Sequence, residues 1–424
     1  MTAKKRISLI AASSILVGSL VACAPQSAQP EATEDIALTL STWSYSNEFA
    51  DWWDDVIGKF EKANPTITVE IQQTAFADYG STITTQAVAG SEPDIIHVPT
   101  PITTLPAWAK AGFLAPLDDY LKTTDVPKLW PAAQSAMEWN GTSYGVLLVD
   151  YGYNLFYNEA LLTEAGVGVP TTPEELVAAA KAVTDLPGDE FGFAITDDNT
   201  VNFVRDALVF TTGMKADWVK DGDWNFSDPD VVAALDVWRE LGKKYSPIGT
   251  NFAAKREAFL AGNSAMMIEG PFYYATVQGT ADPALVDSLK IATTPFEVSP
   301  GDVSHGLALS ADLDENTRAA AEKFLDFVTS TESLTTYSKL ITSPTARPGT
   351  AQSLLESPDT APIVEAHEAS KLIIDPSNEG LRSDYAKFAE VTGAALHSLL
   401  QSDAPSREIL VNLDRALDDA GLKP

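Results

Sequence analysis

Between Ile36 and Val98 the chain changes hydrophobic period four times, and that alternation limits the folds open to it. Ile36–Trp43 alternates as a strand. Phe49, Trp52, Trp53, Val56, Ile57 and Phe60 then recur at helical spacing. Asn64-Pro65 stops that helix, and Ile67, Val69 and Ile71 alternate as the next strand. A further helix ends near Gly90, and Pro93-Asp94-Ile95-Ile96-His97-Val98 reads as a third strand. Strand, helix, strand, helix, strand is the order of a parallel, doubly wound sheet. Ligands in such sheets meet the carboxyl ends of strands, so Trp43, Ser44 and Tyr45 are expected at a mouth.

A second informative stretch runs from Tyr144 to Thr184. Val146 to Val149 are apolar without a break, as in a strand buried on both faces. The run then loosens into Asp150, Tyr151, Tyr153, Leu155 and Tyr157 before turning helical at Glu159. One acid and three tyrosines with no cation make a poor general core. They suit a ligand with both hydroxyls and apolar faces. Thr172, Pro173 and Glu175 predict an N-cap, a first-turn proline and a capping-box acid. A hairpin is expected at Asn140-Gly141. Beyond Thr184 a second αβ body follows. It has strands at Phe191–Ile195, Ile291–Pro295 and Gly306–Ser310, and helices at 199–212, 228–245 and 252–261.

The chain has 424 residues, 45% of them hydrophobic, enough for two or three domains with sizeable cores. Its formal charge of −31 repels phosphate backbones and anionic membranes, which argues against nucleic-acid binding. Cys23 is the single cysteine, so no intramolecular disulfide can form. Lys4, Lys5 and Arg6 precede an apolar run from Ile7 to Leu20, as in a secretory leader. Leu20-Val21-Ala22-Cys23 resembles a bacterial lipobox, in which the thiol is lipidated. Residues 24–35 are small, polar and proline-bearing, and read as a disordered tether.

Tyr144-Gly145-Val146, Leu155-Phe156-Tyr157-Asn158, Ala165-Gly166 and Thr172-Pro173-Glu174-Glu175-Leu176 resemble a pattern of the sugar-binding extracellular proteins of ABC importers, "YGVP…LYYNK…AGL…PKTWEEL". Leu147, Glu159 and Thr171-Thr172-Pro173 depart from it. Further elements follow in order: Asn64-Pro65, Pro93-Asp94, Gly112–Tyr120, Phe259–Phe272 (the family's "FxxGKxAMxxxGPW") and Ala320–Val328. The resemblance, to extracellular solute-binding protein family 1, covers Ile36 to the C-terminus. It implies a maltose-binding-protein-like, two-lobed fold (type II): two doubly wound α/β domains joined by a hinge. The chain would cross near Asp150, Pro295 and Arg347. One lobe would be 36–149 with 296–346, the other 150–295 with 347–424, after a leader (1–22) and a lipidated tether (23–35).

The function so implied is a monomeric, membrane-anchored receptor that passes a carbohydrate to ABC permease subunits, without cofactor or metal. Candidate ligand contacts are Trp43, Ser44, Tyr45, Asp94, Asp150, Tyr151, Tyr153, Asp197, Gly270, Phe272, His305, Gly306 and Arg382. Aromatic rings match pyranose C–H faces, and a carboxylate accepts two hydroxyls. Phe272 stands where the family often has tryptophan. An anionic solute would want several cations, and the candidate loops offer only Arg347 and Arg382. Asp94, Asp150 and Asp197 leave a polyamine open. An adhesin without a small ligand is another reading. Gly141-Thr142-Ser143-Tyr144-Gly145 has the nucleophile-elbow spacing of a hydrolase. That motif needs a strand before the serine and a helix after it; here a turn precedes and a strand follows. The four histidines have no metal-ligand spacing.

Overall fold

A computed structural model describes residues 35–197, 201–280 and 282–424. The leader, Cys23 and all of the tether except Asp35 lie outside the described residues. The first strands form as the sequence predicts. β1 (Ile36–Thr42) runs parallel to β2 (Ile67–Gln73) on one side and to β3 (Ile95–Pro99) on the other. β1 is therefore central, and Leu38 and Leu40 are fully buried. The helix Asn47–Ala63 covers this sheet. Trp52 and Trp53 are both core. Trp52 donates to Ser333 O and meets Tyr337, while Trp53 meets His97. Wedged between the sheet and the helix Thr331–Ile341, this helix buries more than one narrow stripe.

β4 (Glu138–Trp139) and β5 (Thr142–Ser143) form the expected hairpin. Asn140 and Gly141 both take positive φ, 49° and 71°, as a type I′ turn requires. Ser143 is followed by β6 (Gly145–Gly152), not by a helix. β7 (Asn154–Asn158) comes next, and β8 (Val219–Lys220) and β9 (Asp223–Trp224) form a small hairpin. The remaining strands are β10 (Met266–Glu269), β11 (Leu289–Thr293), β12 (Ser299–Leu309) and β13 (Ser370–Leu372).

β12 joins the first sheet, antiparallel to β3 (His305 opposite Pro99) and to β6 (Val303 opposite Asp150). Its first residues also pair with β13. In the second sheet β7 is central between β10 and β11, both antiparallel to it. The chain thus leaves the first sheet at Tyr153 and returns between Thr293 and Ser299. Both sheets belong to one compact unit, Asp35–Pro424.

Two expected strands change. Phe191–Ile195 makes only a bridge, Phe191 to Ser264, because its amides divide between Tyr245 and Met266. The strand expected at Gly306–Ser310 begins at Ser299, since Ser299-Pro300-Gly301 is held between β13 and β6. The Thr172 cap forms, its hydroxyl accepting from the Glu175 amide. Glu175 reaches one residue farther back than a capping box does, to Thr171.

Candidate functional site

At the carboxyl end of β1, Trp43 is half-buried and stacks on His97, with ring centroids 4.1 Å apart and planes 18° apart. A buried hydrogen-bonded chain supports it: Thr42 Oγ1 to His97 Nδ1 at 2.7 Å, His97 Nε2 to His305 Nδ1 at 2.8 Å, and His305 Nε2 to Tyr337 Oη at 3.0 Å. Burial pulls both imidazoles down, His97 well below the ordinary histidine range and His305 to about 3, so both are neutral at pH 7. Phe76 begins the helix after β2, meets Trp43 edge-on at 5.9 Å and remains 62% exposed. Sequence reading missed it, although its place after a strand's carboxyl end is the signal used for Trp43. Ser44 hydrogen-bonds through its amide to Thr42, and Tyr45 donates to Asp54 at 2.6 Å.

Several candidates serve the scaffold. His305 is buried with both ring nitrogens engaged. Gly306 lies mid-strand, where a Cβ would meet Val146 O at 2.6 Å; it permits close strand approach. Asp94 precedes β3 at the end opposite the mouth, accepting from the Thr39 amide and hydroxyl at 2.7 and 2.8 Å. Arg382 is 2% exposed and donates to the carbonyls of Ile102, Pro376, Ala136 and Glu138. Asp197 is tied to the Gly249 amide and to His397. These groups spend their polar capacity on the protein itself.

The strand crossing gathers a different set. Tyr151, near the end of β6, has its ring 5.3 Å from Tyr153 and 5.5 Å from Phe272, both edge-on. The Tyr153 hydroxyl donates to Asp302 Oδ2 at 3.1 Å, and Arg205 from the helix Val201–Gly213 ion-pairs with the same carboxylate. Burial pushes both phenols up, so they stay protonated hydrogen-bond donors.

Phe272 is half-buried two residues after Gly270, where a Cβ would strike its ring at 2.3 Å. The Arg256 guanidinium lies 5.5 Å over the Phe272 ring and contacts Glu269 at 3.1 Å. Glu269 also faces Lys255 at 3.7 Å. Burial raises its carboxyl, but Arg256 and Lys255 outweigh that and leave it below the usual range. Arg205, Arg256, Glu269 and Asp302 were missed. Arg205-Asp206 inside the apolar run Phe203–Phe210 was the one available signal.

Asp150 faces the other way. Successive strand residues point to opposite sides, and Asp150 lies 3.1 Å from His367 on the helix Ala361–Glu368. The Ala366 carbonyl of that helix packs where a Gly152 side chain would go. A cavity of about 350 Å³ opens there, lined by Trp130, Asp150, Arg347, His367 and Glu368 among others. Arg347 lies 5.5 Å over the Trp130 ring and pairs with Asp125 at 2.6 Å. The structure brings Tyr151, Tyr153, Gly270 and Phe272 together and turns Asp150 away from them.

The fold is that of the two-lobed solute-binding proteins. The GacH receptor of Streptomyces glaucescens GLA.O, solved unliganded and with acarbose, is 22% identical with a TM-score of 0.75, covering 91% of this chain and 98% of that one. Maltose-bound MalE3 of T. maritima is 19% identical with a TM-score of 0.77, covering 91% and 100%. The Escherichia coli (strain K12) protein YcjN, named as an ABC transporter periplasmic-binding protein, is 22% identical over 328 residues, 74% of each chain. The family model described as "Bacterial extracellular solute-binding protein" matches residues 55–366. That match takes in well over half of the chain, which therefore belongs to the bacterial extracellular solute-binding protein family.

Proposed function

We propose that this protein is the lipid-anchored receptor of an ABC importer and that its solute is a carbohydrate, of di- or oligosaccharide size, released unchanged to the permease. The observation that carries this reading is the Tyr151–Tyr153–Phe272 cluster at the strand crossing, bordered by the Arg205–Asp302 and Arg256–Glu269 pairs. Aromatic faces suit pyranose C–H surfaces, and fixed polar groups beside them suit hydroxyls. Half-buried Trp43 and exposed Phe76 extend the apolar surface along the strand carboxyl ends. The sugar ligands named for GacH and MalE3, and the transporter named for YcjN, favour the same assignment.

The lobes, 36–149 with 296–346 and 150–295 with 347–424, close on the solute about the segments near Asp150, Pro295 and Arg347, and the permease reads the closed state. Cys23 carries the lipid that holds the monomer at the outer face of the cell membrane, and Cys23→Ser releases it from the membrane fraction. Calorimetric titration with neutral mono- to tetrasaccharides tests the solute. Binding near 1 μM, roughly −8 kcal/mol, is expected for one of them. Silence toward all of them, with binding of putrescine or spermidine, overturns the carbohydrate assignment.

A further inference from the structure

Among the described residues, the buried polar atoms without a hydrogen-bond partner in the protein include Nη1 of Arg205 and the phenolic oxygen of Tyr385. Tyr385 begins the helix Tyr385–Gln401, which packs against the helix carrying Arg205. The phenols of Tyr151, Tyr153 and Tyr385 each lie within electrostatic reach of the guanidinium. Buried polar groups are nearly always satisfied, so an orphan donor on one helix and an orphan hydroxyl on the helix packed against it call for an external partner.

The rest of the cluster decides what kind. Asp302 is fully engaged, accepting from Tyr153 and the Val303 amide while pairing with Arg205. It fixes the guanidinium and leaves Nη1 uncommitted. Charge is balanced throughout: Arg205 against Asp302, and Arg256 and Lys255 against Glu269 and Asp206. Among the described residues of this cluster, no surplus cation is present to neutralise a carboxylate or phosphate.

We infer that Arg205 Nη1 and Tyr385 Oη together receive a hydroxyl oxygen of the solute, and that this pair makes the site selective for neutral hydroxylated solutes over their uronic-acid or phosphorylated counterparts. The inference rests on the carbohydrate reading above. Arg205 donates, while Tyr385 donates or accepts as the hydroxyl requires.

The test uses the full chain, titrated calorimetrically with neutral mono- to tetrasaccharides and polyols, and with glucuronic acid and glucose 6-phosphate. Tyr385→Phe removes only the orphan oxygen. It is expected to weaken the tightest neutral binder about tenfold, the loss of one hydrogen bond, without lowering the melting temperature of the empty protein. Arg205→Lys is expected to weaken it further, since one ammonium cannot serve Asp302 and the solute in the same geometry. Wild type that prefers a charged counterpart, or Tyr385→Phe that binds the neutral solute as tightly as wild type, overturns the inference alone. Wild type that binds no neutral sugar overturns the carbohydrate reading and this inference with it.

Discussion

Asp150 and Tyr151 are neighbours in sequence that serve opposite faces of β6. The Asp150 carboxylate lies 3.1 Å from His367 Nε2, while the Tyr151 ring meets Phe272 at 5.5 Å. Only one of the two faces the proposed solute. Phe272→Ala is therefore expected to weaken carbohydrate binding about two- to tenfold, corresponding to 0.5–1.5 kcal/mol of lost aromatic contact. Asp150→Asn is expected to leave affinity nearly unchanged. Calorimetry on both variants decides it, and a larger loss for Asp150→Asn would move the site to the cavity beside Trp130.

The Asp150–His367 pair also predicts a pH dependence of stability. Burial lowers the His367 pKa, but the hydrogen bond and charge of Asp150 outweigh it, so the folded value is raised. The fold then favours protonated imidazole. Its stabilisation is complete below the unfolded value of about 6.5 and is lost as pH rises through the folded value. Melting temperatures of wild type and His367→Gln should differ most near pH 5.5 and converge in alkaline buffer. A gap independent of pH would show that packing, not charge, is what the variant removes.

Arg382 is expected to matter for stability and not for affinity. It donates to four main-chain carbonyls from three separate stretches of chain while 2% exposed. Each buried acceptor left unpaired costs about 1–3 kcal/mol, so Arg382→Met should destabilise the empty protein by at least about 3 kcal/mol. Arg382→Lys should rescue little, because an ammonium cannot span the guanidinium's spread of directions. Denaturant titration measures both. A stable variant with weakened binding would return Arg382 to the site.

Phe76 tests the mouth. At 62% exposure its truncation should change stability by no more than about 0.5 kcal/mol. If it shelters solute beside Trp43, Phe76→Ala nonetheless weakens binding of the longer saccharides more than the shorter ones. Equal affinities across chain lengths would remove Phe76 and the strand ends from the binding surface.

The elements were legible where local chemistry settles them. Burial on both faces writes Val146–Val149 as an unbroken apolar run, Asn140-Gly141 specifies its turn through two positive φ values, and Thr172 caps its helix with its own hydroxyl. The aromatic half of the candidate site was legible for a related reason. Tyr151, Tyr153 and Phe272 sit where one strand ends or another has just turned, so chain position alone brings them to the crossing.

The polar half was decided only in three dimensions. A carboxylate or guanidinium reads the same in sequence whether it faces a solute, a partner helix or a ring of carbonyls; its role depends on which long-range neighbours use its hydrogen-bonding capacity. His97 and His305 are 208 residues apart yet bonded at 2.8 Å. Arg382, which looked like a ligand contact, is consumed by main chain, whereas Arg205, which drew no notice, keeps one nitrogen free. The sequence by itself determined the periods, the turns and the order of strands, because those depend on residues a few positions apart. Tertiary structure decided which face of β6 each neighbour serves and which charges are spent, because those depend on what packs against the strand from elsewhere in the chain.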